Sequence, residues 1–165
     1  MDLSGKGWCI FGPRGSGKSW LLEHLLDTNA DHIVYDPMGD HYGYRQYIPD
    51  DRASIDELSD LIEHVVIPTH PAIFAVDECN KFVAPKPRPL PRGVDSLMDF
   101  GRHYGPAGIS FGCVARRPAQ FHSDVVELAD ALFLFGLQGK NDYHYLEDLH
   151  RGLGDAVRSL PRYHY

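Results

Sequence analysis

The stretch Phe11–Ser19, FGPRGSGKS, limits what this chain can fold into more than any other. It completes the pattern G-x-x-x-x-G-K-[ST] with Gly12, Gly17, Lys18 and Ser19. It follows an apolar run, GWCIF (7–11), and opens an amphipathic one, KSWLLEHLL (18–26). A strand, a glycine loop and a helix in that order make an anion cradle. Glycines let backbone amides approach phosphate oxygens without a Cβ in the way, and the helix N-terminus adds positive potential. The candidate cradle is Gly12, Pro13, Arg14, Gly15, Ser16 and Gly17. Lys18 is placed to reach the β- and γ-phosphates, and the Ser19 hydroxyl to ligate Mg2+.

The rest of the chain alternates in the way this context requires. HIVY (32–35), AIFAV (72–76), ISFGCVA (109–115) and ALFLFGL (131–137) are short, continuously apolar runs. Continuous apolarity suits strands of a parallel sheet covered on both faces. Between them the sequence predicts helices over 54–64, 94–104, 124–128 and 142–149. The first opens on a capping box formed by Ser54 and Glu57. Alternating strands and helices predict an α/β fold, a three-layer αβα sandwich around a mostly parallel sheet, with residues 1–165 as a single domain. The segment APKPRPLPRG (84–93) is too proline-rich for helix or central strand and is expected as an extended, exposed loop. The closing SLPRYHY is compatible with one more strand.

A second chemical signal lies at the end of AIFAV. The run stops at Asp77-Glu78, and an acid at the C-terminal tip of a parallel strand lies on the ligand-binding edge of an α/β sheet. Asp77 is the candidate partner of Ser19 in holding Mg2+, and Glu78 the candidate base for an attacking water. After 32–35, the turn DPMGD (36–40) combines Asp36, Pro37 and Gly39. The ten histidines show no ligand spacing and read as surface or satisfied core residues.

The net charge of −7 argues against nucleic acid as a partner of the whole surface, but the charge is uneven. Residues 81–117 carry Lys81, Lys86, Arg88, Arg92, Arg102, Arg116 and Arg117 against only Asp95 and Asp99. Such a region is either a solvated basic face or a local surface for phosphates. Cys9, Cys79 and Cys113 sit in or beside apolar runs and read as reduced, buried thiols, which fits a cytoplasmic location. No apolar run approaches the ~20 residues a membrane span needs, and no secretory leader is visible at the N-terminus.

The ordered set, phosphate loop, DPMGDHY (36–42), Asp77-Glu78, GRHYGPAGI (101–109) and ARRP (115–118), resembles the FtsK/HerA superfamily of P-loop ATPases, ring motors that move DNA. The resemblance covers nearly the whole chain. It implies ATP and Mg2+ as cofactors and a homo-oligomeric ring, a hexamer or pentamer, around double-stranded DNA bound without regard to sequence. It also implies that Arg102 is an arginine finger completing the neighbouring subunit's site. The family pattern has a glutamine as γ-phosphate sensor where this chain has Arg116. As a cation there, Arg116 either contacts γ-phosphate in its own subunit or pairs with Glu78 and holds it inactive without ATP. Arg117 reads as structural. Lys86, Arg88 and Arg92 are the candidate DNA contacts. Among relatives of this kind, a chain limited to the core resembles the genome-packaging ATPases of DNA viruses. That implies a capsid vertex protein as a further partner, no membrane insertion, and a place in the host cytoplasm or at the virion vertex. Two other readings of the residues stay open at this point: a small-molecule P-loop kinase, and a nucleotide-binding adaptor with little turnover.

Overall fold

A computed structural model describes residues 2–165. Six strands form one sheet: β1 (Gly7–Phe11), β2 (His32–Tyr35), β3 (Gln46–Tyr47), β4 (Ile73–Val76), β5 (Ser110–Ala115) and β6 (Ala131–Leu134). Their order is β3-β2-β4-β5-β1-β6 and every pairing is parallel, so all strand C-termini lie along one edge. The helices are α1 (Lys18–Leu26), α2 (Ile55–Leu61), α3 (Ile67–Thr69), α4 (Arg92–Phe100), α5 (Ser123–Glu127), α6 (Lys140–Leu149) and α7 (Leu153–Arg158).

The continuous apolarity of the strands is used on both faces. Along β1, Trp8 and Ile10 face Leu21, Leu22 and Leu26 of α1, while Cys9 and Phe11 face a larger core built with α2, α4, α5, α6 and α7. This is the expected three-layer sandwich. Trp8 also fixes the neighbour of β1. Its ring lies across Gly112 of β5, where a Cβ would come within about 2.1 Å, and its Nε1 donates to Ser110 Oγ at 2.9 Å. Only glycine at 112 admits that ring where β5 lies between β1 and β4.

Several local expectations need correction. The helix predicted over 54–64 runs on to Thr69 through a π-helical turn, Ile62–Val66, where the Ile67 amide donates five residues back to Ile62. Pro68 lies just beyond; its ring crowds the carbonyl four residues earlier and it has no amide to offer. Half of the capping box forms. Ser54 Oγ accepts from the Glu57 amide at 3.1 Å, but the Glu57 carboxylate turns to the amides of Asp50 and Asp51 and to the Tyr47 hydroxyl. Helix α4 begins at Arg92, with Pro91 as N-cap, so the proline-rich loop ends before Arg92. The closing SLPRYHY adds no strand. It folds beside β6, where Tyr165 packs on Phe133 and Phe135 with ring centroids 5.9 and 5.2 Å away. No helix among the described residues is long and apolar enough to cross a membrane.

Candidate functional site

Because every strand points the same way, the segments after β1, β2, β4, β5 and β6 meet at one edge. The loop 12–17 leaves β1 and turns into α1 through Gly15 and Gly17, both at positive φ, where a side chain would be strained. Phe135, just past β6, supports it from one side. A Cβ on Gly12 would come within about 2.8 Å of Phe135 and 2.5 Å of Ser16 Oγ. Lys18 Nζ donates to the Pro13 carbonyl at 3.0 Å, folded back over its own loop. Burial lowers the Lys18 pKa, against the opposing pull of Asp77 and Glu78. Ser16 Oγ is buried without a hydrogen-bond partner. Ser19 is exposed in the first turn of α1.

Asp77 and Glu78 follow β4. The Asp77 carboxylate is almost buried; its Oδ1 accepts from the Glu78 amide at 2.8 Å. Glu78 itself is left-handed (φ 47, ψ 37), an uncommon backbone for a residue with a side chain and one that clusters at functional sites. That conformation aims its carboxylate back at the tip of β5. There Arg116 Nη2 donates to Glu78 Oε1 at 2.9 Å, while Glu78 Oε2 is buried without a partner. The geometry therefore shows the second of the two contacts open to Arg116. Arg117 is anchored elsewhere, its Nε donating at 2.9 Å to the buried Asp142 of α6.

His41 is the functional-edge residue that sequence reasoning missed. It is fully buried, not a surface histidine, and both ring nitrogens are engaged, Nε2 with Asp77 Oδ2 at 3.2 Å and Nδ1 with Glu23 Oε1 at 3.1 Å. Burial alone would lower its pKa, but the contacts with Asp77 and Glu23 outweigh that and raise it to about 9. Asp36 locks the turn that delivers it. Its carboxylate accepts from the amides of Met38, Gly39 and His41. The pattern was invisible along the chain because residues 23, 36, 41 and 77 meet only in the fold. Asp36, His41 and Asp77 lie close enough to surround a cation. Asp36 already accepts from three amides, however, and both His41 ring nitrogens are engaged by Asp77 and Glu23, so the trio reads as a brace that orients Asp77. Replacing His41 with alanine is expected to cost about 3–5 kcal/mol of unfolding free energy, because Asp77 then stays buried without its cation; chemical denaturation of the purified variant measures it.

The donors fit a hard divalent cation. Ser19 offers a hydroxyl with no partner among the described residues, and Asp77 offers a carboxylate held in place by His41 and an amide. Mg2+ takes few protein oxygens and completes its shell with water and substrate phosphates, which suits so sparse a set.

Arg102 lies at the other end of the sheet, in a 3-10 turn (Gly101–His103) that precedes β5. Its side chain is exposed, with Nε 3.0 Å from His103 Nε2. It is remote from its own phosphate loop, which leaves the sheet at the opposite edge. The loop candidates divide. Lys86 pairs with Asp124 at 2.6 Å and Arg92 with Glu63, Nη2 to Oε2 at 2.7 Å, whereas Arg88 has no acidic partner among the described residues.

At the sequence level, no family model and no curated protein matches the chain. Solved structures do. The genome packaging NTPase B204 of Sulfolobus turreted icosahedral virus 2, in complex with ATP-gammaS, superposes with a TM-score of 0.80 at 17% identity, over 99% of this chain and 91% of that one. This chain has the P-loop NTPase fold. The DNA-packaging ATPase B204 of Sulfolobus turreted icosahedral virus agrees, with a TM-score of 0.79 at 17% identity over 98% of this chain and 91% of the other. The N-terminal domain of zonular occludens toxin from Neisseria meningitidis shares less of the P-loop NTPase fold, with a TM-score of 0.54 at 17% identity over 76% of this chain and 74% of its own.

Proposed function

We propose that residues 1–165 act as one ATPase domain that couples Mg-ATP hydrolysis to movement of double-stranded DNA, as a homo-oligomeric motor that packages a viral genome. The observation that carries this reading is the division of labour across one sheet. The phosphate loop, Asp77, Glu78 and Arg116 share the C-terminal edge, and an exposed Arg102 stands at the opposite edge, in a fold matched over nearly its whole length by packaging NTPases.

Each group then has a task set by its position. The amides of 14–17 and the Lys18 ammonium bind the β- and γ-phosphates, which requires Lys18 to leave the Pro13 carbonyl. Ser19 and Asp77 hold Mg2+, which when bound neutralises charge on the phosphate oxygens and orients them. Glu78 accepts a proton from the attacking water. Its carboxylate pairs with Arg116, whose guanidinium would be shared between Glu78 and γ-phosphate, so the two contacts compete. Arg102 enters the site of the adjacent subunit, where a second guanidinium stabilises the charge spread over the equatorial oxygens. Such an interface repeats head to tail and closes into a ring. A base beside the metal-binding acid favours water over a metabolite as acceptor, which sets this reading above a small-molecule kinase.

Arg88 is the cation of the 84–91 loop with no acidic partner among the described residues, and the exposed Lys86–Asp124 pair exchanges for DNA phosphate at little cost. Phosphate release from ATP, followed with and without double-stranded DNA, tests the function: DNA raises the rate, while an adaptor releases no phosphate and a kinase needs an acceptor. Replacing Lys86, Arg88 and Arg92 together with alanine is expected to abolish the stimulation. It should also flatten the dependence of log affinity on log salt by about 0.9 for each DNA phosphate that no cation then neutralises. Unchanged DNA stimulation and an unchanged salt slope would remove the loop from the DNA path.

A further inference from the structure

The reacting end of the nucleotide is fixed by Glu78 and Arg116, after β4 and β5, which lie on one side of β1 in the sheet. A phosphate chain that begins there and crosses the loop after β1 must emerge on the other side, toward β6. On that side the structure holds a cleft of about 630 Å³, walled by Pro13–Ser16 of the phosphate loop, by Phe135–Gln138 after β6, and by the segment 158–163. The volume lies within the ~300–1,000 Å³ of small-molecule sites.

Its walls have an unusual chemistry. Arg14, Arg158 and Arg162 all line it, and none of the three forms an ion pair among the described residues. The Arg162 guanidinium lies over the Tyr163 ring, 4.8 Å from its centroid. Tyr163 is left-handed (φ 65), one of three non-glycine residues with positive φ among the described residues; another is Glu78. Its ring, largely exposed, lies about 3.7 Å from where a Cβ on Gly17 would stand, directly over the end of the phosphate loop. The buried Ser16 hydroxyl on the same wall has no partner. Arg158 lies over the Tyr143 ring, 4.6 Å from its centroid, so the lining offers Tyr163 with Arg162 as a plane for stacking and Arg14 as the cation nearest the phosphate loop. Gln138 is the one side-chain amide able to read a base edge, and it is exposed to water.

We propose that this cleft seats the purine and ribose of the nucleotide, that Tyr163 with Arg162 is the wall on which the base stacks, and that the site accepts adenine and guanine nearly equally. The inference rests on the nucleotide-hydrolase reading above and adds to it the base subsite and its selectivity. Selection between purines needs buried donors and acceptors that are left unpaired by the wrong base. Stacking on an aromatic face is indifferent to base identity.

Titration calorimetry with Mg2+ and ADP, GDP or inorganic tripolyphosphate tests it. Expected are ADP and GDP affinities within about tenfold of each other in the unsubstituted chain. Tyr163→Ala, and independently Arg162→Ala, should weaken both nucleotides by about tenfold, within the range measured for stacking interactions, and leave tripolyphosphate unchanged. Tyr163→Phe should keep full affinity. An unchanged ADP affinity in both alanine variants, an equal loss for tripolyphosphate, or a preference of more than about 100-fold for one purine would overturn the proposal. Failure of the unsubstituted chain to bind any of the three would instead overturn the nucleotide-hydrolase reading on which it rests.

Discussion

Replacing Arg102 with alanine is expected to lower ATP turnover by about 10³–10⁵-fold while leaving nucleotide affinity nearly intact. The size follows from what an added guanidinium does to a phosphoryl-transfer transition state, where negative charge spreads over the equatorial oxygens. The placement of Arg102 makes the effect diagnostic. It stands before β5, at the opposite edge of the sheet from its own phosphate loop, and its side chain is exposed. An arginine there that merely complemented the end of α4 would affect stability by about 0.3–1 kcal/mol and hydrolysis hardly at all. Steady-state phosphate release and ADP calorimetry on the same sample separate the two roles. A variant with near-normal turnover would assign Arg102 to the helix end.

The second large effect is at Glu78. Glu78→Gln keeps the shape of the side chain and removes its basicity, so turnover should fall by about 10²–10⁴-fold with nucleotide still bound. Arg116→Gln should cost less, since the base survives, freed from its ion pair, and only a cation for γ-phosphate is removed. Single-turnover hydrolysis with excess enzyme reads both variants without interference from product release. If Glu78→Gln hydrolyses normally, the base lies elsewhere. If it fails to bind nucleotide at all, the left-handed turn at 78 shapes the site and does not supply the proton acceptor.

Much of this was legible in the residues because the relevant signals are local. A phosphate loop needs its glycines at fixed offsets, and a strand buried on both faces must be continuously apolar; β1, β2, β4 and β5 were recognised within one residue at each end on that basis. Elements without a local signal went unseen. Strand β3 is two residues, Gln46–Tyr47, in a polar stretch, and exists because it lies against β2 at the sheet edge. Helix α7 is short, contains Gly154 and has little apolar periodicity; its packing against α6 defines it. The C-terminal segment SLPRYHY is compatible with a strand by sequence, yet its Tyr165 serves as an anchor on Phe133 and Phe135. His41 is the clearest case at the site. Asp36 is local to its turn, but Glu23 and Asp77 are far apart in sequence, and only the crossover order of the strands could bring both to the ring.

The central claim is that one subunit's guanidinium completes its neighbour's reaction centre, and mixing two crippled chains tests it most directly. Glu78→Gln subunits keep the finger but lack the base; Arg102→Ala subunits keep the base but lack the finger. Titrated together, they form junctions in which an intact Glu78 faces an intact Arg102. The account predicts phosphate release that rises well above either variant alone, peaks at intermediate ratios and grows with total protein concentration. A mixture that never exceeds the weighted sum of its components, at any ratio or concentration, would contradict it.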